Sequence, residues 1–556
     1  MGLTKVTHRM TKDASINVLD YGAVGDGVTD DQLAIQAAID AAPAGGEVFF
    51  PVVSNHYYVE NINYLVYKIT VDKDLTLRGA TRDVKIKLGP ESPASDIVLF
   101  RTMTGTTVEF NTLTLEGPDV NNSKVCRIIS GVAVVGGTGT VIIKNVTSTK
   151  GGEFFKFDAA NVSGDKKLIM DNCDIDVSND DALFDKPAIL CIDFAYINIS
   201  NSKIQNHANS YAVYRGYSCS LNIQHCEIGP CIDTTEPVWS IYAQGGTAVA
   251  PDYNIINGCT FTDSAPILTN KFGTEIISNC YFNYAIGTDR PNAIDLRGSV
   301  IVSNCYMNNA SIGSRPDIAD GSIMHIKNTR MDNGRIYVET ATAGVQLLKI
   351  QGCTFIGGSL YDDCIKIGDA DYTLIIDDCD IHGSNAGPGT VFTGVRLDNC
   401  INTIINNCRF FNSGLTAGIW ANSSVIDNIK TTECWFEDTS VGVFISASGY
   451  AKRDLNLMRG ISPVAIASAT NIALNWNYDT YRITGTATIK SISVQDGYAA
   501  HPTTDLSTRI TLIFEDACTI DTSLNIKGLA GVRVADRAAT FVYDGASNKW
   551  IEVNSA

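Results

Sequence analysis

One short phrase, a polar residue and then Cys at the end of an alternating apolar run, returns along most of this chain and constrains everything else. Its cysteines are Cys173, Cys226, Cys259, Cys280, Cys305, Cys353, Cys379, Cys408 and Cys434, and Ser202 and Thr329 stand in similar frames, so the intervals run about 21 to 33 residues. Each copy reads apolar-x-apolar-x before the phrase and aromatic or aliphatic just after it, the period-2 pattern of a short strand that ends on a polar turn. A strand of this length cannot bury its inward face alone, so copies must stack, with about three short strands per turn. The expected fold is all-β, a parallel right-handed β-helix of about thirteen turns, roughly 60 Å long at a strand spacing of ~4.8 Å.

Free Cys behaves as a small buried hydrophobe, which suits one position repeated down the inside of a coil. The thiols read as a packing ladder. Disulfides and a metal centre are the rivals, but C-x-x-C spacing is absent and one Cys per turn faces like neighbours.

A solenoid grows along its axis, so 556 residues fit one long body with end modules. A net charge of −18 and a pI of about 4.8 exclude general attraction to nucleic acid or anionic membrane. No apolar run reaches membrane-spanning length, and Met1 to Asp13 lacks the apolar core of a signal peptide, so neither membrane insertion nor export by that route is expected. Residues 1–16 read as a linker or attachment peptide, 17–50 as a cap, 51–458 as the coil, and 459–556 as an antiparallel β module that caps it and joins subunits. In the cap, Thr29 or Asp30 is the expected N-cap of a helix through Leu33, Ile35 and Ile39. Its Gly-rich lead lacks the Lys-Ser or Lys-Thr of a phosphate loop, and the helix is expected to plug the coil, whose open end would expose strand edges.

If the apolar residues face inward, their neighbours line one outer stripe: Arg215, Tyr242, Asp295, Arg297, Tyr337, Glu339, Lys366, Arg396, Asp398 and Trp420. Carboxylates, guanidinium groups and aromatic faces on one surface are what a sugar groove uses. The candidate catalytic residues on this stripe are Glu339 and Asp295. Arg215, Tyr242, Arg297, Tyr337, Lys366, Arg396 and Trp420 are candidates for holding substrate. Each acid also has a structural reading, as a turn terminator, an ion-pair partner or a solvated side chain. Asp180, Asp181 and Asp185 form a further acidic cluster; His207, His225 and His325 stand singly, and no metal or cofactor is expected.

The stretch Asp20-Tyr21-Gly22-Ala23-Val24-Gly25-Asp26-Gly27, with Thr29-Asp30-Asp31 and the Ala/Ile-rich run after it, resembles the N-terminal cap of the pectate-lyase-like β-helix superfamily. That superfamily holds polygalacturonases, epimerases and bacteriophage tailspikes. Residues 3–10 resemble the linker before the cap in tailspikes, and Gly485 to Ile489 with Phe541 to Gly545 are similar to C-terminal modules of phage tail proteins. The tailspike resemblance implies a homotrimer on the virion tail, attached to a tail or baseplate protein through its N-terminus, that binds and cleaves the host's surface polysaccharide, capsule or O-antigen. Tyr361-Asp362-Asp363-Cys364 and Ile381-His382-Gly383 resemble the paired-Asp and Gly-His-Gly segments of polygalacturonases, with Tyr361 and Ile381 in place of glycines, and this resemblance adds Asp362 and Asp363 to the candidate catalytic residues. The chemistry expected is endoglycosidic hydrolysis by paired carboxylates. The alternatives are a polysaccharide lyase or epimerase, and an adhesin that cleaves nothing.

Overall fold

The computed structural model describes residues 15–555 except for breaks of five or more residues at 61–66, 91–96, 119–125, 132–137, 158–165, 178–186, 232–239, 244–252, 285–291, 315–320, 339–346, 358–362, 384–392, 412–416, 422–428, 438–442, 446–450 and 496–508, and shorter ones elsewhere. The fold is all-β, a parallel solenoid of about 12 turns. It falls into two compact units, Met1–Tyr306 and Met307–Ala556.

In the first unit a turn consists of a long first strand, a short second strand and a third strand on a separate sheet, as in Ala195–Ser200, Lys203–Asn206 and Val213–Arg215. Each pairs in parallel with its counterpart one turn on: Ile197 with Leu221, Ile204 with Ile228, Val213 with Ile241. The second unit repeats the plan, as in Leu347–Gln351, Thr354–Ile356 and Asp363–Ile367. Inward residues are almost all aliphatic or aromatic and lie within 1% of full burial, Ile350, Phe355 and Ile365 among them.

The corner between first and second strands explains the repeated phrase. The residue before each Cys has a left-handed backbone: Asn172, Asn201, His225, Asn279 and Asn304 have φ between 50° and 54°, and Asn328, Asp378, Asn407 and Glu433 between 48° and 53°. Asn tolerates that region better than most L-residues, and Gly258 and Gly352 fill the same place at no steric cost. The amide side chains then bridge turns, Asn172 Nδ2 donating to Asn145 Oδ1 at 2.8 Å and Asn279 Nδ2 to Asn257 Oδ1 at 2.7 Å. The following Cys turns inward, its thiol donating to the carbonyl two residues back, as Cys280 does to Ser278 at 3.2 Å. Ser202 and Thr329 are buried in the same position and donate to Ser200 and Lys327. All thirteen cysteines whose side chains are described are free and buried, which agrees with the packing ladder.

The cap is built on carboxylates that tie backbone. Asp26 accepts from the N–H groups of Val28 and Thr29. Asp31, 1% exposed, accepts from Val24, Gly25 and Tyr58. The helix spans Gln32–Ala41 with Asp31 at the N-cap, one or two residues beyond the expected Thr29 or Asp30. Asp31 spends its side chain on loop and strand N–H groups and makes no side-chain cap bond, while the expected Asp30 accepts from the N–H of Gln32, the first helical residue, and from Glu60. Ile35, Ala38 and Ile39 are its buried face.

The C-terminal module departs in part from the expected antiparallel sheet. Val464–Ala467, Thr480–Thr484 and Arg509–Phe514 pair in parallel, and so do Asn471–Asn475 and Ser491–Gln495. Antiparallel pairing begins where Arg509–Phe514 meets Arg537–Asp544, which in turn pairs with Lys549–Ser555. The module has its own core around Trp550, Tyr481 and Phe541, and the Trp550 indole donates to the Ile492 carbonyl at 3.2 Å.

Burial pushes the Cys173 and Cys518 thiols up to about 11, so they carry little thiolate at neutral pH. A thiol reagent is expected to label few of the cysteines in the native protein and nearly all after denaturation, counted by mass spectrometry. Several intact disulfides in the native chain would overturn the ladder.

Candidate functional site

The third strands of the second unit carry the densest group of sequence-predicted residues. In Ile336–Val338, Asp363–Ile367, Thr393–Leu397 and Ala417–Ala421 the flanking residues Ile336, Ile365, Val395 and Ile419 are buried, and so are Val338, Ile367, Leu397 and Ala421. Period-2 alternation leaves the residue between them on the outside. Strand pairing therefore sets Tyr337, Lys366, Arg396 and Trp420 on four successive rungs in register. At ~4.8 Å per rung the row is about 14 Å long, close to the span of a short oligosaccharide.

Neighbouring side chains knit the row. Arg335 Cζ lies 4.3 Å and Lys366 Nζ 4.9 Å from the centre of the Tyr337 ring, both cation–π contacts. Arg396 Nε donates to Asp398 Oδ2 at 3.1 Å. Asp363, first residue of its strand and 3% exposed, accepts from Arg335 Nη1 at 3.3 Å. Burial pushes the Asp363 carboxyl above the ordinary Asp range, while Arg335, Lys366 and Arg396 pull it back. A desolvated carboxyl beside a cation, at the edge of a row of aromatics and bases, is the kind of group that transfers protons. Arg335 was not singled out from the sequence, although it stands two residues before Tyr337 at a strand entry.

The other predicted residues are distributed differently. Glu339 and Asp362 lie outside the described residues. Asp295, 5% exposed, accepts from Asn292 Nδ2 at 2.7 Å, and the Arg297 backbone N–H donates to Thr269 Oγ1 at 2.7 Å; both belong to the first unit. Arg215 is a correction. It is fully buried, in register with Cys191 and Ala243, and its guanidinium donates to the Cys219 carbonyl inside the coil. A slip of one residue changes the face, and the outward residue of that strand is Tyr214. Tyr214 stacks on Tyr242 at 5.0 Å and 22°, with Tyr211 a further 5.0 Å from Tyr242. Tyr211 and Tyr214 went unnoticed, though strict alternation from Val213 points to Tyr214.

The polygalacturonase-like pair of segments is also separated. Asp363 begins a third strand, whereas His382 ends the second strand Asp380–His382 and stacks on Phe411 at 4.7 Å, on the other sheet. Asp180, Asp181 and Asp185 are outside the described residues. Among the described residues no group of three or more His, Cys, Asp or Glu could hold a metal ion, and no helix is long and apolar enough to cross a membrane.

Parallel turns of this form, with a capping helix at the N-terminal end, define a β-solenoid scaffold. Residues 15–229 match the family model described as Rhamnogalacturonase A/epimerase, pectate lyase-like, so this part of the chain is similar to pectate-lyase-like β-helix proteins. The chain is 31% identical over 192 residues to plasmin and fibronectin-binding protein A of Streptococcus pneumoniae, a match covering 30% of this chain and 25% of that protein. It is 50% identical over 50 residues to the tail spike protein of Shigella phage Sf6, 8% of each chain. Over 37 residues it is 68% identical to mannuronan C5-epimerase AlgE6 of Azotobacter vinelandii, 6% of this chain and 4% of that protein. The chain thus spans a quarter or less of these relatives.

Because Arg335 stabilises the charged form of Asp363, Arg335→Gln is expected to raise the Asp363 pKa further. Carbon-detected titration of a chain labelled at aspartate checks it; an unmoved or lowered Asp363 pKa would show that the ion pair does not control this carboxyl.

Proposed function

We propose that this chain is a phage tailspike that binds and depolymerises bacterial surface polysaccharide, capsule or O-antigen, by endoglycosidic hydrolysis. The observation that carries the reading is the row Tyr337, Lys366, Arg396, Trp420 with the desolvated Asp363 at its edge. Trp420 offers a ring face to a pyranose, Lys366 and Arg396 reach hydroxyl or acidic groups, and Asp363 delivers a proton to the leaving oxygen. The second carboxyl required for hydrolysis comes from Glu339 or Asp362, which flank the same strands in sequence, and Asp295 is the reserve candidate. The tail spike match of Shigella phage Sf6 supports the virion setting. On this reading the chain acts outside the host cell as a homotrimer, held to a tail or baseplate protein through residues 1–16.

A second reading has its own support. Two of the four residues in the row are basic, and abstraction of a sugar-ring proton, the step shared by lyases and epimerases, needs a base beside a cation that steadies the developing charge. Lys366 and Arg396 on adjacent rungs supply such a pair, and an epimerase is among the relatives.

The products decide. New reducing ends without unsaturation mean hydrolysis, an unsaturated uronate means a lyase, altered uronate configuration at unchanged length means an epimerase, and intact polymer with retained binding means an adhesin. Glu339→Gln, Asp362→Asn and Asp363→Asn are each expected to keep the melting temperature and glycan binding, and at least one lowers turnover by about 100-fold or more, within the 10² to 10⁴ typical of a lost acid or base. Normal cleavage by all three would place the chemistry elsewhere on the coil.

A further inference from the structure

In the first unit, five successive turns present an outer face that is almost without charge. The first strands Ala195–Ser200, Ser220–Gln224, Tyr253–Asn257, Thr274–Ser278 and Ser299–Ser303 carry no Asp, Glu, Lys or Arg at any outward position, although the chain holds 102 such residues, 42 basic and 60 acidic. The adjoining second strands, as far as Tyr306, add only Lys203 and Glu227, which pair with each other at 3.6 Å.

The face is apolar along its middle. Ile255, Ile276 and Ile301 stand in register on three successive rungs and point outward, Ile255 being 38% exposed. Tyr281, also 38% exposed, stacks on Tyr306 at 5.4 Å and 20°, and Tyr196 is 43% exposed. The polar residues around them are already engaged with one another along the coil. Asn222 donates to Asn198 at 2.8 Å, Gln224 to Asn222 at 3.0 Å and Ser278 to Asn257 at 3.0 Å. Covering such groups costs less than covering polar groups that have only water to bond.

We infer that this face is where a second copy of the chain docks. Two copies of net charge −18 repel on average, and a face without charge is where that repulsion opposes contact least. The size also suits. Five rungs at ~4.8 Å, by about five residues of the first strands at ~3.3 Å, give on the order of 400 Å², and the second strands carry the contact round the corner toward the roughly 800 Å² per partner of a standard interface. The inference sharpens the homotrimer of the proposed function by naming its contact surface, and it stands apart from the row on the second unit.

The test is sedimentation velocity of the full chain and of Ile276→Asp with Ile301→Asp, alongside cleavage of purified capsules and O-antigens. Both positions face outward, so circular dichroism is expected to be unchanged while the dissociation constant of the oligomer rises at least about tenfold, as like charges meet across the contact. Should the double variant fail to fold, Tyr281→Lys at the exposed ring carries the same test. A parent chain that sediments as a monomer, or variants that assemble like the parent, would overturn the inference, whatever the cleavage result. Variants that assemble normally but lose glycan binding would overturn it in favour of a glycan-binding face. Loss of cleavage chemistry in a correctly assembled parent bears only on the proposed function.

Discussion

Everything in this molecule depends on turning one corner the same way in turn after turn. A first strand must pass into a second without leaving the stack, and the chain does this with a single left-handed residue. For an L-residue that conformation is strained by about 1–2 kcal/mol, a cost that recurs at every corner not held by glycine. Asn lowers it through local hydrogen bonding, and the amide bridges between Asn145 and Asn172 or Asn257 and Asn279 return part of it as contacts between turns. His225 and Glu433 hold the same backbone without the amide, which shows that the stack imposes the corner even where the residue does not prefer it. The Cys that follows is small enough to let adjacent turns close to strand spacing, and its thiol finds a carbonyl at once.

That constraint made the fold readable. The Asn-Cys phrase marks a backbone requirement and a volume requirement at adjacent positions, so it survives in the sequence as a periodic signal, and Ser202 and Thr329 meet the same volume limit with a hydroxyl. The third strands carry no such signal. Their connections vary in length, and Arg215 was placed outside by counting from the wrong residue of Val213-Tyr214-Arg215. A buried guanidinium is rare enough that composition argues against it, and only the fixed pairing with Cys191 reveals it. The parallel strands at 464–514 were misread for a related reason: Thr/Ile alternation specifies a strand but not the direction of its partner.

The site was legible as a row and illegible as a mechanism. Tyr337, Lys366, Arg396 and Trp420 were found because each stands between two buried aliphatic residues, so alternation alone predicts their shared face. Asp363 was found through a local motif whose companion, His382, belongs to another sheet. Its described partner is Arg335, a residue with no sequence signature beyond its position at a strand entry. Such pairings are set by which side chains the turns bring alongside, and that depends on turn length rather than on any local phrase.

Inward positions of a solenoid are under one common demand, and outward positions are released from it. Charges are few inside the coil, and some find partners there, as Arg127 and Glu153 do on adjacent third strands. Outside, neighbouring turns can be charged, aromatic or bare without disturbing the stack, because each outward side chain answers only to the rungs on either side. One unit can therefore present a row of bases and aromatics, and the other a face stripped of charge, on the same repeated backbone. The repeat that makes the fold easy to recognise is silent about what the surface does, and the surface becomes informative only once the register of each strand is known.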